Sequence, residues 1–335
     1  MAGNSTRVVM VAFLMNLGIA IAKYIAFLVT GSAAMLAEAV HSLADTVNQI
    51  FLFLGIRRSA KAASPSHQFG YGMEQYVFSF LVAILIFSLG GSYSLYEGIH
   101  KILHPSEKLE HADINLIILA IAIALEGYSS FIATKELKKT KGGTSFFKYI
   151  RKTKDQVLVT VIFEDYAALL GLVIAGLGMT MYLITGNVIY DSIATILIGV
   201  LLVAIAVILY REAKSLLVGE AASMEDQTKI RAAFEANPNV ERLDELLTMH
   251  LSATQILVNA HVKFKGGLTL EEVEDIIDEI EDVIIADVPE VFKIFIETHQ
   301  KITVEELRNK RPQPVVEEKK KRSVIRNTKS TNETP

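Results

Sequence analysis

The sequence predicts a polytopic α-helical membrane protein, with six transmembrane helices followed by a small C-terminal α+β domain. Three observations carry this prediction. The 335 residues are 51% hydrophobic, with a mean hydropathy of +0.37. The apolar segments are apolar on every face, whereas a soluble domain of this size would show amphipathic stripes. After Tyr210 the composition changes abruptly from apolar to mixed and charged.

Segments near residues 8–30, 33–56, 76–99, 112–133, 156–184 and 188–210 each approach the roughly 20 residues that cross a bilayer. The first follows a short polar start (MAGNSTR) with no small-residue cleavage site, so it is expected to be retained rather than removed as a signal peptide. The start also lacks the Arg- and Ser-rich amphipathic stretch of a transit peptide. Cations gather in alternate loops. Arg7 precedes the first helix, Arg57, Arg58 and Lys61 follow the second, a dense group from Lys135 to Lys154 precedes the fifth, and Arg211 and Lys214 follow the sixth. The intervening loops are poor in uncompensated cations. By the positive-inside rule both termini are cytoplasmic, in a cell (inner) membrane. The Lys-rich loop reads first as a topogenic signal and second as a surface for anionic lipid headgroups.

Residues 1–210 thus form a six-helix transmembrane domain, 211–300 a cytoplasmic α+β domain, and 301–335 a charged tail expected to be disordered. In the middle part, MEDQTKIRAAFEAN is helical in period and ends at Pro238. DELLTMHLS and TQILVNAHVKF alternate as strands across a short turn. A helix follows from Leu270 to about Ile285 with Thr269 as N-cap, and VFKIFIET closes the domain. The order αββαβ suits a ferredoxin-like sandwich. In EEVEDIIDEIED, the apolar stripe Val273, Ile276, Ile277 and Ile280 marks a solvated helix with a core face rather than a metal trap.

Cysteine is absent, leaving His, Asp and Glu as the strong metal ligands. His41 and Asp45, spaced i and i+4, share one face of the second helix. Ionisable groups at membrane depth cost several kcal/mol each and are read by default as functional; an imidazole with a carboxylate suits a divalent first-row metal. Glu38 extends the stripe, and its preferred partner is the buried Lys23. Glu164 and Asp165 lie inside VLVTVIFEDYAALLGL, and Glu126 inside AIALEGYSS. Away from the membrane interior, His100, His104 and His111 cluster near one mouth, either as a polar loop or as a gatherer of cations.

Longer phrases narrow the reading. GSAAMLAEAVHSLADTVNQ, HQFGYG and YDSIATILIGVLL resemble the cation diffusion facilitator family of metal/proton antiporters, over about residues 5–300. YEGIHKILHP, LEGYSSFIATKELK, FEDYAALLGLVIAG and TGNVIYDSIA are most similar to the divergent branch typified by the animal mitochondrial zinc exporter. The resemblance implies a homodimer and a transport site between helices two and five. It places ligands on His41, Asp45 and Asp165. The family's second histidine falls on Val161, which leaves Glu164 either as the substitute ligand or as a polar group of helix packing. Glu126, on helix four, either completes the site, relays protons or serves structure. Tyr71 stands where a loop site would need a histidine beside His67, which argues against that site. In the soluble domain His250, His261, Glu297 and His299 fall on strands. The last three resemble a regulatory zinc site of related proteins, although a strand histidine is more often a surface residue.

These groups bind a divalent cation only when deprotonated. A histidine pKa lies near physiological pH and burial raises carboxyl pKa values, so protons and metal compete for one site. The expected function is divalent metal cation/proton antiport, exporting zinc (with manganese and iron as alternatives) from the cytoplasm. No enzyme activity, resident cofactor or nucleic-acid partner is expected, and the chain has no GxxxxGK[ST] phosphate loop. Two other readings are a transport-inactive metal sensor or partner subunit, and an intramembrane metal-dependent hydrolase.

Overall fold

The structure is a computed structural model that describes residues 2–30, 33–104, 112–140 and 153–298; within the helices, the side chains of residues 2–4, 30, 33–38, 40, 41, 112–115 and 140 lie outside the description. The expected tail (301–335) and most of the Lys-rich loop (141–152) also fall outside it.

Among the described residues, six long helices form the first part of the chain. They are α1 (Ala2–Thr30), α2 (Ala33–Ser59), α3 (Glu74–Leu103), α4 (Ala112–Thr140), α5 (Gln156–Thr185) and α6 (Ile189–Val218). Among the described residues, five are long and apolar enough to cross a membrane; in α2, residues 33–38, 40 and 41 lie outside the described side chains. α2 packs against α1 and α3. Asn48 and Gln49 are buried there. The helices also outrun the apolar segments: α6 continues past Tyr210 to Val218, because Arg211, Glu212, Ala213 and Lys214 are good helix formers, the three charged ones exposed and Ala213 buried.

α1 packs on α2 and α4, α5 packs on both α4 and α6, and α3 lies along α6 with α2 on its other side. The α3–α6 seam is built on glycine. A Cβ on Gly91 would meet Val203 Cγ2 at 2.7 Å, and one on Gly98 would meet the Ile196 backbone nitrogen at 2.9 Å. From the other side, a Cβ on Gly199 would come within 2.8 Å of the Leu95 backbone nitrogen. Small residues of this kind let backbones approach where lipid supplies no hydrophobic drive between helices. In its middle, α3 is π-helical over Ile86–Ser92, including the buried Gly90 and Gly91.

The soluble part has the expected order: α7 (Met224–Ala236), β1 (Val240–Ser252), β2 (Gln255–Phe264), α8 (Leu270–Asp287) and β3 (Val291–Glu297). The sheet order is β1-β2-β3, with β1 antiparallel and β3 parallel to β2. Thr269 caps α8 through a reciprocal capping box with Glu272. Ile276, Ile280 and Ile284 of α8 join Ile230 and Phe234 of α7 over Ile256 and Val258 of β2, leaving the acidic face of α8 to solvent.

The two parts meet at Glu220. Its side chain pairs with Lys154 Nζ at 2.5 Å, just before α5. Its carbonyl accepts the His250 N–H of β1 at 2.9 Å. Burial opposes ionisation of Glu220, but the Lys154 ammonium outweighs it and holds the carboxyl below the usual range. A Cβ on Gly72, in the loop between α2 and α3, would lie 2.6 Å from the Leu251 carbonyl oxygen, so only glycine lets that loop approach the hairpin.

Candidate cation site

Four carboxylates from three helices share the interior between α2, α4 and α5. Asp165 of α5 is 1% exposed and Glu126 of α4 is 3% exposed. Glu126 lies within electrostatic reach of Asp165, Asp45 and Glu164, and also of Lys23 from α1. It therefore stands beside the other carboxylates rather than at a helix end. The expected ion pair between Lys23 and Glu38, and the side chain of His41, lie outside the described residues; the backbone of both Glu38 and His41 is helical within α2.

The adjacent carboxylates of α5 turn to different neighbours, as their 100° separation on a helix dictates. Glu164 faces α2, where Asn48 Nδ2 donates to Oε1 at 2.9 Å and Gln49 Nε2 donates to Oε2 at 2.7 Å. Asp165 faces α4, where Ser129 Oγ donates to Oδ2 at 2.7 Å. Asp165 Oδ1 and Glu126 Oε2 are buried with no hydrogen-bond partner among the described residues. Buried anionic oxygens without partners are costly, and a cation or a proton is what satisfies them.

Among the described residues, no three His, Asp or Glu side chains come close enough to hold a metal ion. The amides occupy both Glu164 oxygens; Asn48 and Gln49 stand three and four positions beyond Asp45, on the face of α2 that it shares. Sequence reasoning passed over both amides, although their i+3 and i+4 spacing from Asp45 was visible. It also passed over Ser129, in the turn after Glu126. Val161, at the position of the expected second histidine, is 0% exposed and packed in the bundle core with Val157 and Ile162.

The lesser candidates separate cleanly. His67 stacks on Tyr71 with ring centroids 4.4 Å apart, a loop contact rather than a ligand set. His261 and Glu297 face each other across β2 and β3, with Nε2 3.3 Å from Oε2; His299 lies outside the described residues. His250 is buried at the junction with Glu220, where burial first and the Lys154 charge second lower its pKa.

Comparison with known proteins accounts for both halves of the chain. Residues 9–218 match the family model of the cation efflux transmembrane domain, and residues 222–300 match that of the cation efflux protein cytoplasmic domain. The mitochondrial proton-coupled zinc antiporter SLC30A9 of Mus musculus is 33% identical over 302 residues, covering 88% of this chain and 52% of that protein. Metal tolerance protein C4 of Arabidopsis thaliana is 28% identical over 270 residues, 80% of this chain and 59% of that protein. The cation-efflux pump FieF of Shewanella oneidensis is 26% identical over 258 residues, 76% of this chain and 81% of that protein. The chain thus spans about half the length of the mitochondrial relatives it matches. With a buried carboxylate cluster in the part that matches the membrane domain, and a three-stranded sheet in the part that matches the cytoplasmic one, this multi-pass membrane protein belongs to the cation efflux family.

Proposed function

We propose that the protein is a divalent cation/proton antiporter that exports zinc from the cytoplasm, with His41, Asp45, Glu164 and Asp165 as ligands and Glu126 as their neighbour in proton exchange. The observation that supports this most is the group Asp45, Glu126, Glu164 and Asp165 inside a membrane bundle, Glu126 and Asp165 buried and Asp45 and Glu164 half-buried, with two oxygens unpartnered among the described residues. Such a group holds protons or a cation, since repulsion and desolvation disfavour its bare anionic form. Metal arriving from the cytoplasm displaces protons; protons arriving from the other side displace metal. The bundle interior supplies this chemistry without a nucleotide.

Zinc is favoured by the zinc antiport of the mitochondrial relatives and by its higher affinity than manganese or iron at most nitrogen/oxygen sites. The carboxylate-rich set is harder than a two-histidine site, which narrows that margin. A homodimer is favoured by the match to the cation efflux cytoplasmic domain, and cytoplasmic termini by the alternating basic loops. The membrane is that of a cell, or a mitochondrial one if the likeness to the mitochondrial relatives extends to location. The buried Val161 also suits a transport-inactive sensor or partner subunit, because it leaves the site one imidazole short.

Proteoliposomes carrying a metal-sensitive dye decide between these. An imposed pH gradient should drive zinc flux in the wild type and fail to do so in Asp45→Asn and Asp165→Asn. Flux of no metal among zinc, manganese and iron, or undiminished flux in both variants, overturns the antiport reading.

A further inference from the structure

A second set of metal-binding side chains lies far from the carboxylates. His100 and His104 occupy the last turn of α3 and its C-cap. The start of α3 adjoins the loop whose Gly72 abuts the soluble domain. A 30-residue helix spans about 45 Å, so its last turn lies at the opposite end of the bundle.

The i, i+4 spacing sets both imidazoles on one helix face, the arrangement by which two helical histidines grip a zinc ion. Their rings already face each other, with centroids 4.7 Å apart and planes inclined by 25°. Tyr96, one turn earlier, stacks on His100 at 5.9 Å, so the pair continues an aromatic ladder that limits the ring positions. Both histidines are exposed. The terminal torsion of each ring is soft, which leaves a nitrogen of each free to turn toward a shared ion.

The surroundings favour a cation. The end of a helix carries carbonyls without intrahelical partners and a partial negative charge. Lys101, the charge closest in sequence, is balanced by Asp191 at 3.3 Å and Glu97 at 3.9 Å. The Asp191 contact also ties this end of α3 to the first turn of α6, which puts the pair on a fixed support.

We propose that His100 and His104 form a two-histidine site for a late first-row divalent cation, at the end of the bundle remote from the soluble domain. Imidazole nitrogens select zinc, nickel or copper(II) over magnesium and calcium. Two protein ligands leave the remaining positions to water, so the ion exchanges quickly, as suits a place where ions are caught and handed on. The site stands independently of the antiport reading; only its place on a transport route depends on it.

Histidine modification by diethylpyrocarbonate, read peptide by peptide in a mass spectrometer, tests this on the purified full-length protein with zinc as the probe. Zinc should protect His100 and His104 together, at one half-protecting concentration, while magnesium protects neither. In His100→Ala, protection of His104 should need at least about tenfold more zinc, since losing a direct ligand costs no less than losing a ligand's hydrogen-bond partner. The Asp45→Asn/Asp165→Asn variant should protect both histidines as the wild type does. Unchanged protection of His104 in His100→Ala overturns the shared site. So does an absence of protection by zinc, or its loss in the carboxylate variant.

Discussion

The hydroxyl of Ser129, on α4, donates to Oδ2 of Asp165, on α5, at 2.7 Å. The other oxygen, Oδ1, is buried with no hydrogen-bond partner among the described residues. One oxygen is therefore held by protein while the other is left for a proton or a cation. The hydroxyl fixes how the carboxylate presents itself, and it does so from the helix that carries Glu126.

Replacing Ser129 by alanine should weaken zinc binding about tenfold, the lower end of what partners of metal ligands contribute. Threonine at 129 keeps the hydroxyl and should restore most of the affinity. Calorimetric titration of the purified protein measures both, and equal affinity in wild type and Ser129→Ala would remove the hydroxyl from the site.

The amides on Glu164 should act in the opposite direction. A hydrogen bond to a charged group contributes about 1.5–3 kcal/mol, and Glu164 must give up Asn48 and Gln49 before it can ligate. Asn48→Ala and Gln49→Ala should therefore each raise zinc affinity several-fold. The gain should vanish in Glu164→Gln, as a double-mutant cycle would register. A gain that persists without the Glu164 carboxylate would place its origin elsewhere.

At the α3–α6 seam, Gly98→Ala sets a Cβ 2.6 Å from Ile196 Cγ1 and 2.9 Å from its backbone nitrogen. Backbone cannot give way as a side-chain tip can, so a loss of about 1–3 kcal/mol is expected. Gly127→Ala, whose Cβ would meet nothing within 4 Å, should be neutral or slightly stabilising. Thermal unfolding in detergent compares the two, and equal midpoints would argue against close backbone packing at the seam.

His250 predicts a pH dependence at the junction. Its pKa is lowered by burial and then by Lys154, so protonation works against the folded arrangement. The stability it supports is intact above its unfolded pKa of about 6.5 and is lost as pH falls toward the folded value. Between about pH 7.5 and 5.5 the unfolding midpoint should drop further in wild type than in His250→Gln. Parallel drops would mean that other groups set the acid response.

Much of this architecture was legible in the residues. Thr269 announced the start of α8 as its N-cap, and the structure adds the reciprocal bond from Glu272 that closes a capping box. The αββαβ order likewise followed from alternation and turns, because strand period and turn chemistry are local signals. The site was legible only in part. Asp45 and Asp165 stand out because charge is rare at membrane depth, but Asn48, Gln49 and Ser129 are uncharged, and polar glue of that kind is common between membrane helices. Their importance appears only when α2, α4 and α5 are set side by side. The π-helical stretch of α3 was equally hidden, because Ile86–Ser92 is as apolar as an ordinary span.

The glycine seam between α3 and α6 sets a mechanical boundary. Each helix has a neighbouring backbone where a side chain would otherwise cushion it, so sliding one along the other drives Val203, Ile196 or Leu95 into main chain. Close-packed surfaces of that shape have one resting position rather than a continuum. The pair behaves as a single mast, and α5 is moored to it as well: a Cβ on Gly178 would lie 2.6 Å from Ala194 Cβ of α6 and 3.0 Å from the Tyr190 carbonyl oxygen. If Asp45 and Asp165 are to face first one side of the membrane and then the other, the travel has to be made by helices that shift about that mooring.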